Sequence, residues 1–150
     1  MDDVRQNALT YLQTHQVMTL ATIGEDGVWA AAVFYVHHGF SLYFLSAGHT
    51  RHAQNIAAQP HISATIQEDY KDWPKIQGIQ LEGMVTQLGG KEKAYCITLY
   101  QAKYPFLAGD DPQIKTAVSK VNWYCLQPTR LYFIDNRKGL GHRDEIMLTS

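Results

Sequence analysis

Residues 40–58 read FSLYFLSAGHTRHAQNIAA, and the rest of the chain is arranged around this stretch. Its first seven residues alternate between two sets of side chains, which is the period-two pattern of a β-strand. Thr50 is a good helix N-cap residue, and Pro60 ends the helix that follows because proline has no backbone N–H. The stretch therefore predicts a strand, a short polar turn and a helix.

This strand–turn–helix order favours the binding of an anion. The first N–H groups of a helix have no intrahelical acceptor, and the Thr50 hydroxyl and the Arg51 guanidinium lie beside them. Together these groups can hold a phosphate by charge-assisted hydrogen bonds. The same residues are also compatible with an ordinary capped helix that carries two surface cations, Arg51 and His52.

The composition indicates one globular domain that spans residues 1–150. A chain of 150 residues can bury one sizeable core, and its residues are 45% apolar and 18% charged. Nine tyrosines and three tryptophans suit a β-rich fold or a planar ligand. A net charge of −1 and the lack of a basic run argue against nucleic acid and membrane surfaces as partners, so we expect a small molecule.

Two further features concern the compartment. Residues 1–5 are acidic and lack an apolar run, and no window holds 18 apolar residues, so we expect a cytoplasmic protein. Cys96 and Cys125 are far apart in sequence and form no C-x-x-C motif. We interpret them as buried free thiols and predict no metal site.

Signals for strands outnumber those for helices. The predicted strands are residues 17–23, 28–37, 40–46, 61–67, 76–88, 122–127 and 130–134. The first predicted helix is capped by Asp2 or Asp3 and ends near His15. The others are residues 51–58, residues 91–104 and a short helix that begins at Pro112. Short turns join neighbouring strands, which is typical of an antiparallel sheet. Gly78 and Gly83 indicate a bulge or a close approach to the backbone in the 76–88 strand. Six or seven such strands close most easily into a barrel, so we expect a mostly β (α+β) fold with a few peripheral helices.

Short motifs recur in a fixed order along nearly the whole chain. They read HxxMxLAT (15–22), DG (26–27), LYF (42–44), TRHAQN (50–55), PHIS (60–63), GIQLEG (78–83), and DN followed by GLG (135–141). Their order resembles the pyridoxamine-phosphate-oxidase-like family of FMN-binding split barrels, and within it the YhbP-like (UPF0306) branch. The resemblance implies an antiparallel split β-barrel with FMN as its cofactor.

In that family two subunits generally build a pair of flavin sites at their interface, so the resemblance also implies a homodimer. The flavin phosphate is held by the turn after the third strand, which here carries Thr50 and Arg51. His52 stands where the family often has lysine, and this weakens the electrostatic contact with the phosphate. Leu45 and Ser46 stand where the family has a Tyr-Thr pair, so only the hydroxyl is retained.

The flavin ring is lined by one strand in this family. That strand corresponds to Ala30, Ala31, Ala32, Val33, Phe34 and Tyr35. Small side chains make sense there because a flat ring can lie against a backbone only where side chains do not intervene, although packing under a helix would also explain them. Gln80 can donate and accept hydrogen bonds at the polar edge of the flavin, or can simply face solvent.

The chain departs from true pyridoxamine-phosphate oxidases in two ways. It lacks the Arg and Lys at the ends of the ring-lining strand, and its nearest match to their Arg-Leu-His-Asp-Arg signature is GHRDE at 141–145. We therefore do not expect that activity. His142 and Arg143 either reach the partner's flavin or belong to a solvated turn.

The leading hypothesis is an FMN-binding oxidoreductase that acts on an unknown small molecule, with the flavin at a homodimer interface and no catalytic residue assigned. One alternative is a non-catalytic module that holds flavin or haem. Histidines are numerous, but no pair has i, i+4 spacing on a predicted helix that would favour haem or metal. A second alternative is a structural protein on the same barrel.

Overall fold

The computed structural model describes residues 3–148, so Met1 and Asp2 lie outside the described residues. The helices are α1 (Val4–Thr14), α2 (Arg51–Ala58), α3 (Gly90–Lys103) and α4 (Pro112–Ser119). The strands are β1 (Val17–Gly24), β2 (Gly27–Phe34), β3 (Val36–His38), β4 (Ser41–Ala47), β5 (His61–Ile66), β6 (Gln77–Gln87), β7 (Val121–Asp135) and β8 (Arg143–Glu145). Short 3₁₀ turns lie at Trp73–Lys75, Pro105–Ala108 and Asn136–Lys138. The N-cap of α1 is Asp3, whose side chain accepts from the Gln6 N–H.

All strand pairs in this sheet are antiparallel. Seven strands follow the order β2-β1-β5-β6-β7-β4-β3, and β8 pairs with β7 beside this path. The first strand of the path, β2, comes close to β4, but within residues 3–148 the two do not pair. The sheet is therefore a split barrel, and the α+β split-barrel prediction is confirmed.

Two apolar clusters fill the fold. The larger one lies inside the barrel and includes Met18, Leu20, Leu42 and Phe44. The smaller one lies between α3 and the outer faces of β4 and β7, and Trp123 is one of its buried residues. Helix α1 packs on the larger cluster through Ala8, Tyr11 and Leu12, which are i, i+3 and i+4 positions of one helix face.

The structure corrects three of the predicted elements. The strand expected at 28–37 is two strands, β2 and β3, because the chain breaks at Tyr35, whose ring enters the core. The strands expected at 122–127 and 130–134 are one strand, β7, which runs through Pro128. For His142 and Arg143 a solvated turn is one of the two expectations, and Arg143 instead begins the short strand β8, which pairs with β7.

Pro128 is accommodated by a bulge in its own strand, β7, where Thr129 is the extra residue. The register between β6 and β7 shifts between Glu82 and Gly83, and a Cβ at Gly83 would lie 2.2 Å from the Gln127 carbonyl oxygen. The prediction that Gly83 marks a bulge or a close approach is therefore confirmed. The ladder continues because glycine lets the bulged backbones come together.

Helix α2 is fixed to the barrel by one buried amide. Asn55 Nδ2 donates to Thr22 Oγ1 at 3.0 Å, and both residues are buried. A Cβ at Gly24 would lie 2.0 Å from Asn55 Oδ1, so β1 needs glycine at the position where the Asn55 side chain packs against it. This contact sets the position of the N-terminus of α2. Among the helices of residues 3–148, none is long and apolar enough to cross a membrane.

Candidate functional site

The start of α2 brings three of the predicted residues together. Thr50 is the N-cap, and its Oγ1 accepts from the Ala53 N–H at 3.2 Å and donates to the Ala47 carbonyl at 2.9 Å. The Ser46 hydroxyl lies 3.1 Å from Thr50 Oγ1 and 2.7 Å from His52 Nε2. We call this group the Ser46–Thr50–His52 cluster. Ser46 is buried, whereas Thr50 and His52 are half-buried.

His52 is neutral in this environment at neutral pH. Burial lowers its pKa from the usual value, since removing water disfavours the charged ring. In the neutral ring Nε2 can accept from the Ser46 hydroxyl, whereas in the protonated ring it can only donate to it. A phosphate at the cluster would add a negative charge beside the ring and favour its protonated form.

Arg51 extends from the same helix turn towards the β1–β2 hairpin. Its guanidinium stacks on the ring of Trp29 at 4.4 Å, and Nη2 donates to the Asp26 carbonyl at 2.9 Å. No carboxylate of residues 3–148 pairs with it. The first-turn N–H groups of Arg51 and His52 likewise have no acceptor in the described part of the chain, as expected at a helix N-terminus.

The edge of β2 that faces away from β1 presents free backbone groups. In an antiparallel ladder alternate residues direct their N–H and C=O groups to the neighbouring strand. The Tyr35 N–H bonds to the Gln16 carbonyl at 3.0 Å, and the register then turns the backbone groups of Ala30, Ala32 and Phe34 away from β1. We call these three residues the open edge of β2. Within residues 3–148, the backbone groups of Ala30 and Ala32 on this edge have no partner.

The open edge of β2 lies beside the start of α2. β3 follows β2 along the chain and pairs with β4, with Val36 opposite Tyr43. If this register is extended back along β2, Ala30 and Ala32 lie level with the end of β4. Close contacts of β2 with both β4 and α2 agree with this position. The free backbone edge and the Ser46–Thr50–His52 cluster therefore line one cleft.

Tyr100 of α3 and Tyr104, the C-cap residue of that helix, hold the far end of this cleft. The Tyr100 hydroxyl donates to the Phe34 carbonyl at 2.8 Å and also lies 3.3 Å from the Tyr43 carbonyl, so it bridges β2 and β4. The Tyr104 hydroxyl donates to the Tyr35 carbonyl at 2.7 Å. Burial raises the pKa of Tyr104 to about 12 and also raises that of Tyr100, so both hydroxyls stay protonated.

An apolar cavity of about 410 Å³ opens beside the cleft. Four of the predicted cofactor residues line it, namely Ala32, Val33, Phe34 and Leu45. Its other wall consists of Tyr100, Tyr104, Phe106, Leu107, Ala117, Val118 and Val121. None of these lining residues carries a charge. We refer to this space as the apolar cavity.

Two predicted residues lie away from the cleft. The Tyr35 side chain is in the core and donates to the Leu12 carbonyl, so only its backbone can face a ligand. Gln80 is exposed on the outer face of the sheet and pairs with Tyr132 near one end of β7, whereas Ser46 pairs with Asn122 at the other end. Arg143 lies beside Gln80, with Nη1 3.5 Å from Oε1 and its guanidinium over the Tyr132 ring. A single chain therefore does not bring Gln80 to the start of α2.

Sequence reasoning missed three residues of the cleft: Trp29, Tyr100 and Tyr104. The i, i+4 spacing of the two tyrosines on α3 was a usable signal, because it places both rings on one helix face. No local pattern connects Trp29 with Arg51, since the contact depends on how α2 docks on β1 and β2.

Comparisons with known proteins agree with this architecture. A family model described as pyridoxamine 5′-phosphate oxidase matches residues 4–138. A UPF0306 protein of Photorhabdus laumondii is 29% identical over 135 residues, which cover 89% of this chain and 88% of that protein.

Two solved structures show the same fold at low identity. A heme-binding protein from Mycobacterium smegmatis superposes with a TM-score of 0.79 and 21% identity, over 97% of this chain and 58% of that longer chain. HutZ, the heme storage protein from Vibrio cholerae, superposes with a TM-score of 0.71 and 16% identity, over 84% of this chain and 91% of that chain. At these identities the likeness establishes the fold alone.

Proposed function

The chain belongs to the pyridoxamine 5′-phosphate oxidase family, and from this premise we propose that it binds FMN in the cleft and acts as an oxidoreductase on an unknown small molecule. The observation that carries the proposal is that anion-binding groups and a free strand edge lie in one cleft. FMN has a phosphate at one end and a flat ring with hydrogen-bonding groups at the other. The cleft offers a matching group for each end.

The phosphate end fits the start of α2. Arg51 supplies a guanidinium with no carboxylate partner in residues 3–148, His52 supplies an imidazole, and the helix N-terminus adds two N–H groups. The Thr50 hydroxyl donates to the Ala47 carbonyl here and would turn from it to donate to a phosphate. Ser46 holds the imidazole in place through its 2.7 Å contact. Because the net charge of the chain is −1, this site attracts an anion through local groups alone.

The ring end fits the open edge of β2. Ala30 and Ala32 leave the backbone accessible, and their N–H and C=O groups can pair with the polar atoms of an isoalloxazine ring. Leu45 and Val33 supply apolar contact beside this edge. Arginine and lysine are absent from both ends of β2, so the cleft has no second set of cations for a phosphorylated substrate. This supports an activity other than pyridoxamine-phosphate oxidation.

When bound, FMN supplies the redox chemistry, and the chain binds it, orients it and limits the access of water. The Tyr100 and Tyr104 hydroxyls are held by backbone carbonyls and stay protonated, so neither is poised to take up a proton. We therefore assign these side chains to positioning of the two strands.

We also propose that the working form is a homodimer. Val17 and Ile23 on β1 and Val28 and Phe34 on β2 form an exposed apolar face, and Val28 is 78% exposed. Monomeric proteins rarely leave such a face in water. In a two-fold dimer Arg143 of one subunit, together with the adjacent Gln80, would be available to the flavin of the other subunit.

A second candidate function is haem binding without turnover. It is favoured by the two solved structures of the same fold, whose proteins are described as binding or storing haem. Against it, no group of three His, Cys, Asp or Glu side chains within residues 3–148 could hold a metal ion. A haem would need only one axial ligand, so the two cofactors must be separated by experiment.

The test is a spectrum of the purified protein followed by titration of the cofactor-free protein with FMN and with haemin. We expect the absorbance of oxidised flavin, and saturable binding of FMN with one FMN per chain. A Soret band together with no FMN binding would refute the flavin proposal and favour haem.

A further inference from the structure

We infer that the apolar cavity binds an uncharged, apolar ring compound as the second ligand of the cleft. This ligand is the substrate if the proposed function holds, and only that assignment rests on the proposed function. The binding itself follows from the cavity walls. The lining residues that are not assigned to FMN determine which compounds can bind.

The side chains of the cavity wall are apolar apart from the hydroxyls of Tyr100 and Tyr104, and backbone carbonyls already accept from both. The free N–H and C=O groups of Ala32 on the open edge of β2 can serve a neutral polar atom, but no lining residue carries a charge. A charged group placed here would lose its water without gaining an ionic partner. The cavity therefore selects against charge, and a phosphorylated substrate does not fit its chemistry.

The shape of the wall favours a ring. Phe34 and Tyr104 meet edge to face with ring centroids 5.7 Å apart, and Phe106 lies next to Tyr104 at 6.2 Å. Such an arrangement leaves aromatic faces and edges on which another ring can pack. A volume of about 410 Å³ lies within the range of small-molecule sites.

Access to the cavity does not require the core to open. Ala117 and Val118 of α4 form one wall, and no residue of α4 is buried. Phe106, in the preceding 3₁₀ turn, is 59% exposed. A ligand can therefore enter by a small displacement of surface elements.

The first experiment compares two probes that differ by one charged group. N-phenyl-1-naphthylamine is an uncharged ring compound, and 1-anilinonaphthalene-8-sulfonate is the same ring system with a sulfonate. We expect the uncharged probe to bind the cofactor-free protein with one site per chain and at least about tenfold more tightly than the sulfonate. Equal or tighter binding of the sulfonate would overturn the inference.

A pair of variants then locates the probe. Ala117→Trp fills the cavity from a surface helix, and Thr116→Trp places the same side chain at a neighbouring exposed position that does not line it. We expect Ala117→Trp to weaken the uncharged probe by about tenfold or more and Thr116→Trp to leave it unchanged. Equal effects of the two variants would overturn the assignment to this cavity. Circular dichroism of both variants checks that they are folded.

Equilibrium dialysis with saturating FMN separates this inference from the proposed function. Binding of the uncharged probe at the same affinity with and without FMN supports a second ligand beside the flavin. Competition between them would make the cavity the seat of the flavin ring and overturn the inference, while FMN binding stands. Probe binding in a protein that fails to bind FMN would refute the proposed function and still support the selectivity of the cavity.

Discussion

Replacing Arg51 with alanine tests the phosphate end of the cleft directly. The guanidinium is free of carboxylate partners in residues 3–148, so a phosphate would be its first ionic partner. A hydrogen bond to a charged group contributes about 1.5–3 kcal/mol. If the guanidinium must leave Trp29 to reach the phosphate, it gives up a surface cation–π contact of about 0.5–1 kcal/mol. The net loss for Arg51→Ala is then about 0.5–2.5 kcal/mol, or roughly 2-fold to 70-fold in FMN affinity.

The assay is a flavin fluorescence titration with FMN and with riboflavin, which has the same ring but no phosphate. We expect Arg51→Ala to weaken FMN by this factor and to leave riboflavin nearly unchanged. Lys93→Ala, which removes an exposed cation from the first turns of α3, is the control and should change neither affinity. Equal losses of FMN and riboflavin affinity in Arg51→Ala would show that Arg51 acts on the ring or on the fold, and the phosphate assignment would be wrong.

Four further outcomes are expected. Thr50→Ala should lower the free energy of unfolding by about 0.5–2 kcal/mol because the N-cap is lost. Thr50→Asp should keep a cap but fail to bind FMN, because its carboxylate repels the phosphate. FMN binding by Thr50→Asp at the affinity of the parent would contradict this. The FMN-to-riboflavin affinity ratio should rise as the pH falls from about 8 to about 6.5. Burial lowers the pKa of His52 in the free protein, and a bound phosphate favours the protonated ring. In His52→Gln the ratio should not change with pH. Asn55→Ala should cost about 1–3 kcal/mol in urea unfolding because it leaves the buried Thr22 hydroxyl without its donor, while Gln54→Ala on the exposed side of α2 should cost less than about 0.5 kcal/mol. Sedimentation should show a dimer at micromolar protein that Val28→Asp dissociates, and a parent that stays monomeric at every concentration would remove the dimer proposal.

The features that local chemistry determines could be predicted from the sequence. Thr50 is the N-cap of α2 as expected, because the preference for a hydroxyl at that position is a property of the helix end itself. Gly83 marks a bulge because only glycine tolerates the approach of the facing backbone. The antiparallel order follows from short turns between strands.

The features that depend on distant pairing could not be predicted. Pro128 suggested the end of a strand, but β7 continues because it bulges at Thr129, opposite the step from Glu82 to Gly83 in β6. The tail forms β8 because β7 offers it a partner, which no pattern in the tail reveals. Arg51 was expected to point only at an anion, and its stacking on Trp29 is decided by the docking of α2. The roles of the predicted cofactor residues remain predictions that the titrations above address.

The hydrogen bond from the Tyr100 hydroxyl to β2 also affects the tendency of the protein to aggregate. An outermost strand with free N–H and C=O groups can serve as a template on which a strand of another chain adds. On the open edge of β2 the Phe34 carbonyl already accepts from the Tyr100 hydroxyl, so the end of the strand nearest α3 offers an incoming strand one acceptor fewer. By the register with β1, the other residues of β2 that face away are Val28, Ala30 and Ala32, which is a short row for strand pairing. The same contact that joins α3 to β2 thus shortens the edge on which another chain could add.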